Sequence, residues 1–238
     1  MRSNKGITKI EHTSITEKVA NWLRISIIKG DLKSGTKLTE QKVSKLLDVS
    51  TTPVREAFRT LEAENLLIHN PYSGVCVAEI SPKYLVDICE MRRFLDIGSS
   101  DTIMENATEA HIEELYEIID GLRNFDPMGI GMEKIDETER FIKEEEKFHL
   151  GVARITGNME LENMEKILLK KAHVFRLMLV STFPSTNQME LTLNELVRIT
   201  EAIEKKDKKA FEENAHKQQQ VIRKHEAEIN MLKDEAEQ

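Results

Sequence analysis

The stretch Val49-Ser50-Thr51-Thr52-Pro53-Val54-Arg55-Glu56-Ala57-Phe58-Arg59-Thr60-Leu61 leaves few options for the first third of this 238-residue chain. Ser50, Thr51 and Thr52 are helix N-cap residues, and Pro53 suits the first helical turn, where its missing N–H is not needed. Glu56 favours the positive end of that helix. Val54, Ala57, Phe58 and Leu61 recur at i, i+3, i+4 and i+7, a spacing that predicts a buried side. Thr51, Thr52, Arg55 and Arg59 are left on or near the outward side. A turn that delivers a helix with hydroxyls and cations at its exposed N-terminal end suits insertion into a DNA major groove. Taken alone, the pattern describes a solvated helix face with two arginines equally well, and the flanking segments decide between the two.

Upstream, residues 15–29 form an amphipathic pattern with Val19, Leu23 and Ile27 on one stripe, ending at Gly30, where a helix C-terminus prefers glycine. A loop over 31–38 follows, with Gly35 in a turn. Thr39 then caps a second helix whose buried side is Val43, Leu46 and Leu47. Asp48-Val49-Ser50 is the turn of a helix-turn-helix. Downstream, Leu66-Leu67-Ile68, the turn-rich 70–74 and the alternating Val75-Cys76-Val77-Ala78 predict a two-stranded wing. The expected fold is mainly α, with a winged helix-turn-helix over 1–80 and an all-α bundle over 81–238.

The net charge of −8 seems to argue against nucleic acid, yet it averages two unlike parts. Residues 1–78 carry 12 Lys+Arg against 8 Asp+Glu, a net of +4, and the remainder is net −12. A basic head on an acidic body suits a DNA-binding module joined to a sensing or dimerising one. Two cysteines make no disulfide framework. No apolar run suffices to span a bilayer and no charged-then-apolar leader opens the chain, so no membrane partner and a cytoplasmic setting are expected.

The head resembles the GntR family of bacterial transcription regulators. The resemblance is carried by Gly30, Leu32, Gly35, Leu38, Glu40, Val43, Leu46 and Leu47, then by Val49-Ser50, Thr52-Pro53-Val54-Arg55-Glu56-Ala57 and Leu61. It implies that Arg55 and Thr52 approach bases or phosphates, that Gln41 and Ser50 anchor the DNA backbone, and that Gly74 lets the wing tip come close to the minor groove. Thr51 stands where the family commonly has a guanine-reading Arg, so one strong base contact is missing. Asn65 replaces the usual Gly before the wing, which is tolerable because Asn accepts a positive φ.

In the body, apolar periodicity predicts six helices near 82–106, 108–124, 133–156, 158–182, 189–205 and 207–233. Glu90, Arg92, Leu95-Asp96, Phe148-His149, Gly157-Asn158, Glu195, Glu201-Ala202-Ile203, Asp207 and Ala210 resemble the FadR-type branch, whose C-terminal module is called FCD. That resemblance implies a pocket for a small carboxylate effector, often with a metal held by an Asp and three His. The matching positions here are Glu145, His149, Leu196 and Gln218, and two of these do not ligate, so no metal is expected. His216 is two residues from Gln218, about 200° around a helix, and should point away. His173 is a substitute candidate. The expected alternative to a metal is a polar pocket that keeps Glu145 and His149 as a hydrogen-bonding pair. Arg92, on a stripe with Leu85, Ile88, Cys89, Leu95 and Ser99, needs a counter-charge. Glu145 or Asp96 would supply it as plain structure, or an effector carboxylate would. Arg176 is a second candidate for that carboxylate.

Together these readings imply a homodimeric repressor on an inverted-repeat operator in double-stranded DNA, controlled by a small organic acid. The alternative is a regulator whose body only dimerises, binding neither metal nor effector. An enzyme using Glu145 and His149 is not expected, because the chain has no nucleophile motif, no phosphate loop and no complete metal set.

Overall fold

A computed structural model describes residues 14–70, 74–78, 82–126, 135–182, 188–217 and 223. The chain divides into two compact units, Met1–Glu79 and Ile80–Gln238.

The first unit runs α1 (Ile15–Ile28), β1 (Lys37–Leu38), α2 (Glu40–Leu47), α3 (Thr51–Ala63), β2 (Leu67–Asn70) and β3 (Gly74–Val77). Ser14 opens α1 by accepting from the Glu17 N–H at 3.1 Å, and Gly30, at φ +78°, turns the chain away after it. Thr39 opens α2 in the same manner, accepting from the Lys42 N–H. Helices α1 and α3 pack together, burying Val19, Leu23 and Ile27 from one and Val54, Phe58 and Leu61 from the other. At the end of that contact Arg24 forks onto Glu64, with bonds of 2.7 and 3.0 Å. Asn65 follows with φ +59° and sends the chain into β2.

The segment expected to be a plain loop contains a strand. Lys37 and Leu38 pair antiparallel with Cys76 and Val75, so the sheet has three strands in the order β1-β3-β2 rather than two. Two residues carry no alternation to read, and their partner is almost forty residues away.

The second unit is helical among its described residues: α4 (Pro82–Asn106), α5 (Glu109–Arg123), α6 (Ile135–Ile155), α7 (Met159–Thr182), α8 (Gln188–Glu204) and a further helix, α9, over 208–217. Its turns are set by polar residues that satisfy free helix ends. Thr108 and His111 form a reciprocal capping box on α5. Asn158 accepts from the Glu160 and Leu161 N–H groups at the start of α7, just after Gly157 at φ +67°. Asp207 accepts from the Ala210 N–H to open α9.

The main core joins Ile103, Leu115, Ile119, Leu122, Phe148 and Ile203, while a smaller cluster of Leu85, Ile88, Leu168 and Ala172 joins α4 to α7. A Cβ at Gly151 would lie 3.1 Å from Leu115 Cδ2, so glycine there lets α5 and α6 approach closely.

Candidate functional site

In the first unit α3 buries Val54, Ala57, Phe58 and Leu61 and leaves Thr52, Arg55 and Arg59 exposed, with Thr51 half-buried. Ser50 is the N-cap, but its hydroxyl makes no cap bond and is exposed, as is Gln41 on α2. Gly74 is exposed at the start of β3 with φ +80°. Arg55 is not a loose cation. Its Nε and Nη2 donate to the two carboxylate oxygens of Glu40 at 2.8 and 2.9 Å. The Arg55 guanidinium holds the Glu40 carboxyl below its usual range. This fork lines the arginine up along the outer face of α2 and α3 and leaves Nη1 outside it.

The second unit places five ionisable side chains at the level of Arg92. Arg92 Nε donates to Glu165 Oε1 at 2.7 Å, and both side chains are about 95% buried. Burial alone would push this guanidinium down, but Glu165 and Asp96 outweigh it and hold it above its ordinary value. The expected partners, Glu145 and Asp96, are therefore not the ones bonded. Arg176 takes Glu145. Burial acts the other way on Glu145, yet Arg176 and the nearby His149 pull it down to about 2.

The expected hydrogen bond between Glu145 and His149 is not formed. His149 Nε2 lies 3.6 Å from Glu145 Oε1, beyond hydrogen-bond reach, and has no hydrogen-bond partner. Burial, helped by Arg92, lowers the His149 pKa, so the ring is neutral at pH 7. His173 bonds Glu146 through Nδ1 at 2.7 Å, which takes it out of this group. His216 is exposed, 3.5 Å from Arg93 Nη1. Gln218 lies outside the described residues.

Beside this group is a cavity of about 20 Å³ lined by Asp96, His149, Glu195 and Asn214, with Val152 and Phe211 on its apolar side. Neither Arg92 nor Arg176, the arginines proposed as carboxylate anchors, lines it; Arg92 is bonded to Glu165, and Arg176 holds Glu145 through Nη2 while its Nη1 is buried without a hydrogen-bond partner. Asp96 and Glu195 make no ion pair among the described residues, and Glu195 Oε1 is without any partner. Burial, reinforced by Glu165, pushes Asp96 up to about 7. Burial, reinforced by Glu145, does the same to Glu195. Asn214 is satisfied by the Ala210 carbonyl and Arg198.

These residues do not fit the metal that the resemblance implies. Glu145 is already bonded to a guanidinium, Leu196 is buried in the apolar core, and among the described residues no three His, Cys, Asp or Glu side chains are placed to hold one ion.

Glu165, Asp96, Glu195 and Asn214 were not singled out as site residues from sequence. Glu165 had a readable signal: it stands three, four and seven residues before the buried Leu168, Leu169 and Ala172, an acid on an apolar stripe.

Removing one partner of the buried pair should cost far more than replacing both. Glu165→Ala is expected to lose about 3–5 kcal/mol in denaturant unfolding, because Arg92 is left buried and uncompensated, whereas Arg92→Met with Glu165→Leu should recover most of that loss. Glu195 binds a proton more tightly in the folded state than in the unfolded chain. Its contribution is therefore intact at low pH and is lost as pH rises from about 4.5 through about 7. Glu195→Gln should accordingly stabilise the chain at pH 8, on the order of 1–3 kcal/mol, and change little at pH 4.5. Unfolding curves at the two pH values provide the check.

Residues 15–77 match the bacterial regulatory proteins, gntR family, and residues 87–219 match the FCD domain. Over 138 residues, 58% of this chain and 62% of the relative, the sequence is 31% identical to the HTH-type transcriptional regulator McbR of Escherichia coli K12. Over 153 residues, 64% of each chain, it is 27% identical to a probable D-xylose utilization operon transcriptional repressor of Paenarthrobacter nicotinovorans. The chain thus matches less than two thirds of the length of either relative, and both are regulators rather than enzymes. The solved structure of E. coli McbR/YncC shares the fold with a TM-score of 0.59 at 22% identity, covering 90% of this chain and 99% of that one. With its basic winged head and helical FCD body, the chain belongs to the gntR family of bacterial regulatory proteins.

Proposed function

We propose that this protein is a transcriptional repressor that binds an inverted-repeat operator in double-stranded DNA as a homodimer, and that a small molecule in the α4–α6–α8–α9 cavity controls it. The observation that carries the DNA-binding half is the face of α3: four apolar residues seal one side, while Thr52, Arg55 and Arg59 stand exposed on the other. A helix anchored so firmly on one side presents the other as a rigid surface, which is what groove readout requires. The net charge of +4 over residues 1–78 supplies the attraction to phosphate. Repression agrees with the repressor named among the relatives. A protein acting on the chromosome of a bacterium works in the cytoplasm.

The homodimer is supported by exposed apolar side chains on two neighbouring helices. Met91 and Phe94 on α4, and Met164 and Ile167 on α7, are each about half exposed. Met91 adjoins Arg92 and Met164 adjoins Glu165, so the bonded pair sets both at one level of the bundle. A second copy covering this face would bury it. The cavity is the reason for preferring ligand control over a body that only dimerises, because a purely structural bundle gains nothing from unpaired acids facing a void.

Arg55→Ala is expected to weaken operator binding by about 1–3 kcal/mol and to flatten the dependence on salt, leaving small-molecule binding to the body unchanged. Unaltered DNA affinity in gel-shift titrations would sink the assignment of α3. Phe94→Asp should convert the dimer to a monomer in sedimentation velocity and weaken operator binding, since two linked heads bind far more tightly than one. A dimer that persists with Asp at position 94 would move the interface elsewhere.

A further inference from the structure

Glu40 puts a negative charge on the face that has to meet phosphate. It opens α2 directly after the Thr39 cap, and its two carboxylate oxygens accept from Arg55 Nε and Nη2 of α3 at 2.8 and 2.9 Å. The bond from Arg55, with the charges of Arg55 and of Arg59 one turn further along α3, holds the Glu40 carboxyl below its usual range. An exposed pair of this kind adds little to stability. An acid beside the two outward arginines also weakens their attraction to the DNA backbone. Neither stability nor affinity explains its place, but the geometry of the fork does.

A guanidinium is planar and carries its N–H donors on fixed edges. Glu40 occupies the side edge, made of Nε and one hydrogen of Nη2. The end edge, made of Nη1 and the other hydrogen of Nη2, makes no bond among the described residues, and the Arg55 side chain is 56% exposed. The arginine thus offers two parallel donors in one fixed direction. In the major groove only guanine sets two acceptors side by side, O6 and N7. Adenine pairs an acceptor with a donor, thymine an acceptor with a methyl group, and cytosine offers a donor. A phosphate can accept from either edge of a free arginine, but here one edge is taken and the adjoining carboxylate repels the anion.

We propose that Glu40 is a specificity-determining residue of the regulator, which aims Arg55 end-on at a guanine and denies the same arginine to phosphate. The inference rests on the reading of α3 as the DNA-contacting helix and adds the residue that selects the base. Glu40 touches no DNA in this role and acts through Arg55. Loss of its charge frees the side edge, so that Arg55 turns to whatever acceptor is nearest. Binding then becomes no weaker for DNA at large and less selective for one sequence.

The test uses the full chain. Wild-type protein first selects duplexes from a random library. Affinities are then measured for the enriched duplex, for the same duplex with one guanine at a time replaced by 7-deazaguanine, and for a scrambled duplex. Wild type should lose about tenfold in affinity when N7 is removed from one guanine of the enriched sequence. Glu40→Gln should lose that sensitivity and bind the scrambled duplex at least as tightly as wild type. Its ratio of enriched to scrambled affinity should therefore fall about tenfold. Arg55→Lys keeps the charge but not the edge, and should lower the ratio to a similar degree with an unchanged salt slope. A merely structural Glu40 would lower both affinities together, and the melting temperature with them. That result, or a ratio that Arg55→Lys leaves unchanged, would overturn the assignment. If wild type enriches a duplex and Glu40→Gln reads it as sharply, the role of Glu40 fails and the regulator reading stands. If wild type enriches none, the reading of α3 fails and takes this role with it.

Discussion

The bond from Arg92 to Glu165 is the constraint to which the helical body answers. A guanidinium inside a bundle costs several kcal/mol in lost hydration unless a counter-charge meets it with good geometry. Asp96, one turn along the same helix, makes no bond to it, and the bonded acid lies on a neighbouring helix, so the requirement becomes a statement about register. Glu165 must stand opposite Arg92, and α7 must therefore run beside α4 at one height, which the small cluster of Leu85, Ile88, Leu168 and Ala172 then fills. Arg176 imposes the same condition between α7 and α6 through Glu145. Two ion pairs thus fix three helices, and the apolar contacts, which tolerate sliding by a turn far better, follow.

The head solves a different problem with the same economy. A reading helix has to be held from behind, since nothing can cover the face that meets DNA. Val54 and Leu61 are fully buried against α1, and the Arg24–Glu64 fork closes the far end of that contact. On the open face, Arg55 is bound to Glu40 before any DNA arrives. An arginine already confined to one geometry loses less rotamer entropy on meeting a base or phosphate than a free one does. An exposed pair of this kind adds little stability, so its value lies in orientation.

How much of this could be read from the residues depended on the distance over which each feature is decided. The helix-turn-helix and the body helices, the sixth of them as far as the described residues 208–217 follow it, were legible because caps, Pro53, Gly30 and apolar spacing act within one or two turns. The strand at Lys37–Leu38 was not, because its identity comes from Cys76 and Val75 far along the chain. In the body, the stripe carrying Arg92 showed that it points inward and needs an acid, but not which one. Glu145, Asp96 and Glu165 were all within reach of some packing, and only the relative height of α4 and α7 selects Glu165. The same limit hid the cavity. Asp96 and Glu195 lie about one hundred residues apart, and their facing one cavity is a property of the bundle rather than of either helix.

The exchange of charges around Glu145 explains how such a pocket departs from the metal-bearing form that the FCD resemblance implies. A buried carboxylate needs one positive partner, and a divalent cation or a guanidinium can serve. With Leu196 in the apolar core, a cation would lose a ligand from α8, and Arg176 already neutralises Glu145. The substitution changes what remains. A divalent ion carries charge enough to balance the surrounding acids as well, whereas one guanidinium balances only the carboxylate it touches. Asp96 and Glu195 are then left without a cation of their own, and burial drives both toward protonation near pH 7. The chemistry of the pocket is therefore set by the pairing behind it: once each arginine is matched to one acid, the two carboxyls facing the cavity are left to hold protons rather than ion pairs.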